Sequence, residues 1–253
     1  MKSTLLARLF LPLFFLLSLS VVAEDVLRVG VSPDYPPLIF MKDGEITGIE
    51  AHNAMEVGKF LKYRIQFVPM KFENLFPALQ SGEVDVVMSG ISVSPERAEQ
   101  VLFTESFMEV GQMAIISLSN VARFSRPRSL HQPGVRIGVE PGTMGETLVR
   151  ETMPEANIRY FEDPDAAFAA LRAGHADAYI HDAPTSWRLG NDPDNQDLFS
   201  LYRPLSREDL AWAVRKDNFL LQQQLNVALD ELRRSGRLRA IQNFWIPVRI
   251  EVR

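Results

Sequence analysis

The sequence predicts an α/β fold in two lobes, and three observations carry that expectation. A strand-helix-strand pattern opens the chain, the same pattern returns in its middle, and amphipathic helices close it. Val26 to Val31 is a short β-branched run ending in Ser32-Pro33-Asp34-Tyr35-Pro36-Pro37, which predicts a buried strand feeding a loop. Ala51, Ala54, Met55, Gly58 and Leu61 fall at helical spacing, and Arg64 to Pro69 returns as a strand. Asn74 to Gln80 then predicts a short helix closed by Ser81-Gly82, followed by the apolar run Val84 to Met88, of the kind a parallel sheet buries on both faces.

The middle of the chain repeats this order. Val135 to Val139 predicts a strand, Thr143 to Glu151 a helix, Ile158 to Phe161 a strand, Pro164 to Ala173 a helix and Ala178 to Ile180 a strand. Asp163 suits an N-cap, Pro164 the first helical position and Gly174 the stop. At the end, Leu221, Leu225, Ala228, Leu229 and Leu232 mark an amphipathic helix; Gly236 breaks it before a last helix with Leu238, Ile241, Phe244 and Trp245. Ligands of open parallel sheets sit beyond the strand C-termini, so two facing lobes would share one cleft.

Composition narrows the function classes. The 253 residues carry a formal charge of -5 with scattered basic residues, which argues against a nucleic-acid surface built from clustered Lys and Arg. Lys2 and Arg8 precede the apolar run Leu9 to Leu17 and the small-residue site Val21-Val22-Ala23, the pattern of a secretory signal peptide over residues 1–23, cleaved after Ala23. The run is short for a membrane span of about 20 residues and contains Pro12. With no cysteine there is no disulfide, no thiolate metal site and no attachment point for a lipoprotein lipid. A secreted chain of this kind must be held by its core alone.

Four segments offer binding chemistry at predicted strand ends. Ser89-Gly90-Ile91-Ser92-Val93-Ser94-Pro95-Glu96-Arg97 combines amides, hydroxyls and a guanidinium that suit a carboxylate. Local pattern alone favours reading Ser94-Pro95-Glu96-Arg97 as a helix start, with Ser94 capping and Arg97 solvated. Gly142-Thr143-Met144-Gly145 opens a helix whose dipole attracts an anion, but it lacks the lysine of a P-loop and the third glycine of a dinucleotide fingerprint. Asp182 would present a carboxylate at the cleft rim or serve as a turn residue. Tyr35 and Phe72 would sandwich the apolar part of a ligand or belong to the core. His52, His131, His175 and His181 form no metal-spaced pair, so no metal and no cofactor is expected; His181 is either a cleft residue or a solvent-exposed strand end. No Gly-x-Ser-x-Gly elbow supports a hydrolase.

Together these segments resemble the bacterial extracellular solute-binding protein family 3, the polar amino-acid-binding components of ABC importers. The resemblance covers residues 26–246 and rests on "LRVGVSPDYPPLIF", "GEITGIEAHNA", "FPALQSGEVDVVMSGISVSPERAEQVLFTESF", "VRIGVEPGTMGE", "AALRAGHADAYIHDAP" and "ALDELRRSGRLRAIQNFW". It implies the two-lobed type II periplasmic-binding-protein fold, with two open mixed sheets joined by hinge strands near Phe107 to Gly111 and Ser206 to Leu210. The lobes would comprise residues 24–110 with 207–253, and residues 111–206. It implies a periplasmic monomer with a small amino-acid-like ligand, ABC permease subunits as partners, and no catalysis.

Carried over by position, Arg97 would hold the ligand carboxylate with Ser92, the backbone around Gly90 and the Thr143 and Met144 amides. Asp182 and the Ser89/Gly90 carbonyl region would hold the ammonium, and Tyr35 and Phe72 would pack on the side chain. Ser32 stands where many relatives have an acid, with Asp34 two positions on, which argues against a lysine or arginine ligand. Glu140 would restore affinity for a cation or face solvent. Met144 replaces a second threonine, and Leu210-Ala211 replaces the aromatic-glycine pair of the second hinge.

Two other readings share the scaffold. A cyclohexadienyl or arogenate dehydratase resembles this family and needs a carboxylic acid in the cleft. Resemblance places that acid three residues after Asp182, where this chain has Thr185; Glu140 or His181 would have to substitute. A ligand-sensing protein serving a membrane receptor needs the same closing cleft as an importer component.

Overall fold

The computed structural model describes residues 25–124, 126–201 and 203–246. The expected signal peptide lies outside the described residues. Two five-stranded mixed sheets form the centres of two lobes. The first runs in the order Tyr63–Pro69, Asp25–Val31, Val86–Val87, Ala213–Arg215, Val101–Phe103. The second runs Asn157–Tyr160, Arg136–Val139, Ala178–Asp182, Gln112–Ser117, Leu198–Ser200. In each, three parallel strands lead into a fourth and a fifth that each run antiparallel to their neighbour.

The repeat seen in the sequence is a repeat of hydrogen bonds. "GEVDVV" follows a helix stopped by Gly82 at φ 78°, and "GHADAY" follows a helix and a turn through Gly174 at φ 67°. Asp85 N–H donates to the Arg28 carbonyl at 2.9 Å, and Asp177 N–H to the Arg136 carbonyl at 2.8 Å. Each aspartate then accepts from the backbone amide and the guanidinium of that same arginine. Bidentate pairs of this kind fix geometry as well as charge. In both lobes they lock the first strand to the third at the end away from the cleft.

Both faces of each sheet are covered. Val29, Val31, Ile49, Ala54 and Val57 pack with Leu225, Leu229 and Ile241, joining the helix Ile49–Leu61 to the C-terminal helices Phe219–Arg234 and Arg237–Trp245. Leu75, Leu79, Val84 and Val87 fill the opposite face of the first sheet. In the second lobe Ile137, Val139, Val149 and Ile180 form one cluster, and Phe168, Leu171 and Tyr179 the other. Among the described residues no helix is long and apolar enough to cross a membrane.

The lobes are joined by the antiparallel pair Met108–Val110 and Glu208–Leu210. Each crossover strand runs on into the fourth strand of the sheet it enters. The backbones pass so closely that a Cβ on Gly111 would lie 2.2 Å from the Ser206 carbonyl oxygen, which admits only glycine. Several features were not anticipated, among them the meander Asp34–Tyr35, Ile39–Lys42, Glu45–Thr47, the antiparallel strands Val101–Phe103, Gln112–Ser117, Leu198–Ser200 and Ala213–Arg215, and the helix Ala183–Asn191. The meander strands are two to four residues long and half exposed, too short for a period-2 signal to emerge.

Candidate functional site

One cavity lies between the strand ends of the two sheets. It is lined by Ser32, Asp34, Tyr35, Phe72, Ser89, Gly90, Ser92 and Arg97 from the first lobe, and by Gln112, Glu140, Thr143, Met144, Pro164, His181 and Asp182 from the second. All ten residues singled out in the sequence therefore meet in one place, with Ser32, Asp34 and His181 beside them.

Arg97 lies in the last turn of Pro95–Ala98, the short helix whose start Ser94 caps. The helix start with its Ser94 cap is present, but Arg97 is not left solvated: its guanidinium lines the cavity. It donates to the Ser92 carbonyl at 2.9 Å and, across the cleft, to the Gly142 carbonyl at 3.0 Å. Its carbon lies 5.8 Å from the centre of the Phe72 ring. Among the described residues Arg97 forms no ion pair. Burial holds its pKa below the usual arginine value, against the opposing charges of Glu208 and Glu96. A half-buried guanidinium bonded to carbonyls and not to a carboxylate retains the charge and geometry that suit an anion.

The neighbouring donors are arranged differently from the sequence expectation. Gly90 N–H points into the core and donates to Glu50 Oε1 at 2.9 Å, so it does not face a ligand carboxylate. Ser92 Oγ donates to Glu208 at 2.8 Å. Ser89 Oγ accepts from the Ser32 amide at 2.9 Å. Thr143 Oγ1 caps the helix Met144–Thr152 and gives its hydrogen to the Glu140 carbonyl at 2.8 Å. The physical reason is common to all of these: buried acceptors claim nearby donors before a ligand arrives. The helix N-terminus at Thr143 and Met144 still offers its dipole to an anion. Gly90, at φ 66°, is required where it stands, since a Cβ would lie 2.8 Å from both Leu38 and Tyr35.

The opposite wall is acidic. Asp182 is the last residue of its strand and is buried, not at the rim; burial and the Glu208 charge push its pKa well above the ordinary carboxylate value. His181 is part-buried and not a solvent-exposed strand end. Its Nε2 lies 3.3 Å from Glu140 Oε1, Thr185 Oγ1 is 2.9 Å from its Nδ1, and its ring meets Tyr35 edge-on at 5.1 Å across the cleft. Glu140 also accepts from the buried Tyr179 hydroxyl. Burial works to raise its pKa, yet His181 and Tyr179 hold it below the usual range. Asp34 is displaced upward by burial, with the Glu140 and Asp163 charges adding to the shift and a 3.1 Å bond from Ser32 opposing it. Glu140 thus faces the cavity, and Asp34 lies close enough to feel it.

Sequence reasoning missed Gln112, Glu208 and Glu50. Glu208, 8% exposed, accepts from Ser92, Gln112 and Ser206. Glu50, fully buried, accepts from Gly90 and from Trp212 Nε1, each at 2.9 Å. Burial pushes its pKa up to about 7 against those two bonds. Only a glutamate at a core-facing position of an otherwise apolar helix face signalled it. Among the described residues no cluster of three metal-ligating side chains occurs.

Comparison with known proteins supplies relatives. The sequence matches the family described as bacterial extracellular solute-binding proteins, family 3, over residues 27–248. The L-cystine-binding protein TcyJ of Escherichia coli K12 is 28% identical over 88% of this chain and 83% of its own length. The cyclohexadienyl dehydratase of Pseudomonas aeruginosa is 30% identical over 64% of this chain and 61% of its own. The crystal structure of the ancestral amino acid-binding protein AncCDT-1, a precursor of cyclohexadienyl dehydratase, superposes with a TM-score of 0.81 at 31% identity, covering 87% of this chain and 95% of that one.

Proposed function

The chain belongs to the bacterial extracellular solute-binding proteins, family 3, and from that premise we propose that its cleft captures an α-amino acid whose side chain carries a second positive group. The protein is an amino-acid-binding component of an ABC transporter with a type II two-lobed fold. One observation carries the finer reading. A single unpaired guanidinium, Arg97, shares the cavity with three carboxylates, Asp34, Glu140 and Asp182.

The chemistry divides by charge. Arg97 and the helix N-terminus at Thr143 and Met144 take the α-carboxylate, while Asp182 takes the α-ammonium. Asp34 and Glu140, from opposite lobes, repel one another when the cleft is empty; a cationic side chain between them turns that repulsion into attraction. Tyr35 and Phe72 cover the ligand's apolar stem. On this reading the acid at Asp34 serves where Ser32 cannot. Cleavage after Ala23 releases a monomer into the periplasm, where it delivers its ligand to membrane permease subunits and turns over no substrate. In place of the dehydratase acid stands Thr185, which is buried against His181.

Binding to the folded state raises apparent stability by mass action, about 2.7 kcal/mol at a hundredfold excess over Kd. A thermal-shift screen of the ligand-stripped mature chain should therefore respond to L-arginine or L-lysine, and weakly or not at all to L-glutamine. Response to neutral amino acids alone would remove the cation. A response confined to prephenate or arogenate, with product formed, would place the protein among the enzymes.

A further inference from the structure

Glu208 lies at the start of the second crossover strand, opposite Val110 of the first. Its two carboxylate oxygens gather three segments. Oε2 accepts from Ser92 Oγ of the first-lobe cradle at 2.8 Å and from Gln112 Nε2 of the second lobe at 3.2 Å. Oε1 accepts from Ser206 Oγ at 2.5 Å, and that hydroxyl in turn accepts from the Gln112 backbone amide at 2.9 Å. Gln112 thus reaches Glu208 twice, directly and through Ser206. Ser92 also belongs to an isolated β-bridge with Leu210, two residues beyond Glu208.

We propose that Glu208 is a positioning residue that sets the angle between the lobes, through one carboxylate shared by the first-lobe cradle, the second-lobe strand Gln112–Ser117 and the crossover. The reason is geometric. Ser92 and Gln112 sit on opposite sides of the hinge yet bond the same oxygen, so rotating one lobe against the other stretches at least one of these bonds. In a nearly water-free setting such a bond has no solvent to replace it. Hinge motions are absorbed by a few residues, and here the ones that absorb them answer to Glu208.

The chain has no cysteine, so two introduced thiols label it without background. Met55 and Glu155 are exposed, one in each lobe, and Met55→Cys with Glu155→Cys places a spin label on each. The interlobe distance distribution is then measured without ligand and with saturating L-arginine. Glu208→Ala should broaden the ligand-free distribution about twofold. Glu208→Gln should restore the parent width, because its amide oxygen still accepts from Ser92 and Gln112 while its NH2 donates to Ser206. An unchanged width in folded Glu208→Ala overturns the proposal, as does a broadening that Glu208→Gln fails to correct. Should Glu208→Ala not fold, Gln112→Ala removes the second-lobe donor alone and must broaden the distribution in its place. The inference deepens the ligand-site reading but is scored on the ligand-free arm. Failure of L-arginine to alter the parent's distribution counts against the cationic ligand alone.

Discussion

The two lobes use one backbone scheme to build opposite walls. Arg28 with Asp85 and Arg136 with Asp177 occupy equivalent places, and both third strands end at the cleft. Beyond those ends the chemistry diverges. After Val86–Val87 comes Ser89 to Arg97, which contributes a guanidinium; within Ala178–Asp182 come His181 and Asp182, which contribute an imidazole and a carboxylic acid. A repeated fold unit therefore specifies where a site will be, while the few residues past the strand end specify what it binds. That is the physical content of the rule that fold does not fix function.

The largest expected effect sharpens the contrast between the walls. Arg97→Ala removes a buried anion contact and should weaken ligand binding by about 2 to 5 kcal/mol, some 30- to several-thousand-fold in Kd by calorimetry. Asp182→Asn should cost less, about 1 to 2 kcal/mol, because burial and the Glu208 charge already disfavour the ionised form that would hold an ammonium. Equal losses in the two variants would erase the division of labour.

The next effect compares the two strand locks. The Asp177 side chain is 5% exposed and pairs with Arg136 and Arg123, whereas Asp85 is 27% exposed and pairs with Arg28. Burial works to raise the Asp177 pKa, but the Arg136 guanidinium and amide hold it below the ordinary value. Asp177→Asn should lose about 3 kcal/mol in denaturant unfolding and Asp85→Asn about 1 to 2 kcal/mol. Matching losses would mean that burial does not distinguish the locks.

A further effect, confined to the first lobe, belongs to Glu50. Its folded pKa of about 7 lies above its unfolded value, so the stabilisation from holding that proton is complete below about pH 4.5 and lost as pH rises through about 7. Between pH 5 and pH 8 the wild type should therefore lose about 2 kcal/mol of stability relative to Glu50→Gln. Parallel pH profiles for the two proteins would show that Glu50 does not hold its proton in the native state.

How much was legible follows from the range of each interaction. Periodicity and end signals located most of the longer helices and the parallel strands, because a helix cap such as Asp163 or a stop such as Gly174 acts within a few residues. Most of the ten cleft residues were legible because they stand at or just past predicted strand ends, which point to one place in an open sheet, while Glu140 entered through the family resemblance. The availability of their hydrogens was not, since the Ser92 hydroxyl is claimed by a carboxylate 116 positions away and the Gly90 amide by one 40 positions away. Nor was the burial of Asp182, which sits at the end of its strand where no local signal separates a buried from a rim position.

By itself, then, the sequence determined the parallel core of each lobe, the repeat between them and most of the positions that line the cleft, which rest on local periodicity, capping and the resemblance those segments carry. Only the tertiary structure decided which carboxylates face one another, which donors are already engaged and where the crossover is held. Charge and hydrogen bonding act through a few ångströms of space, and the residues within those few ångströms were brought there from distant parts of the chain.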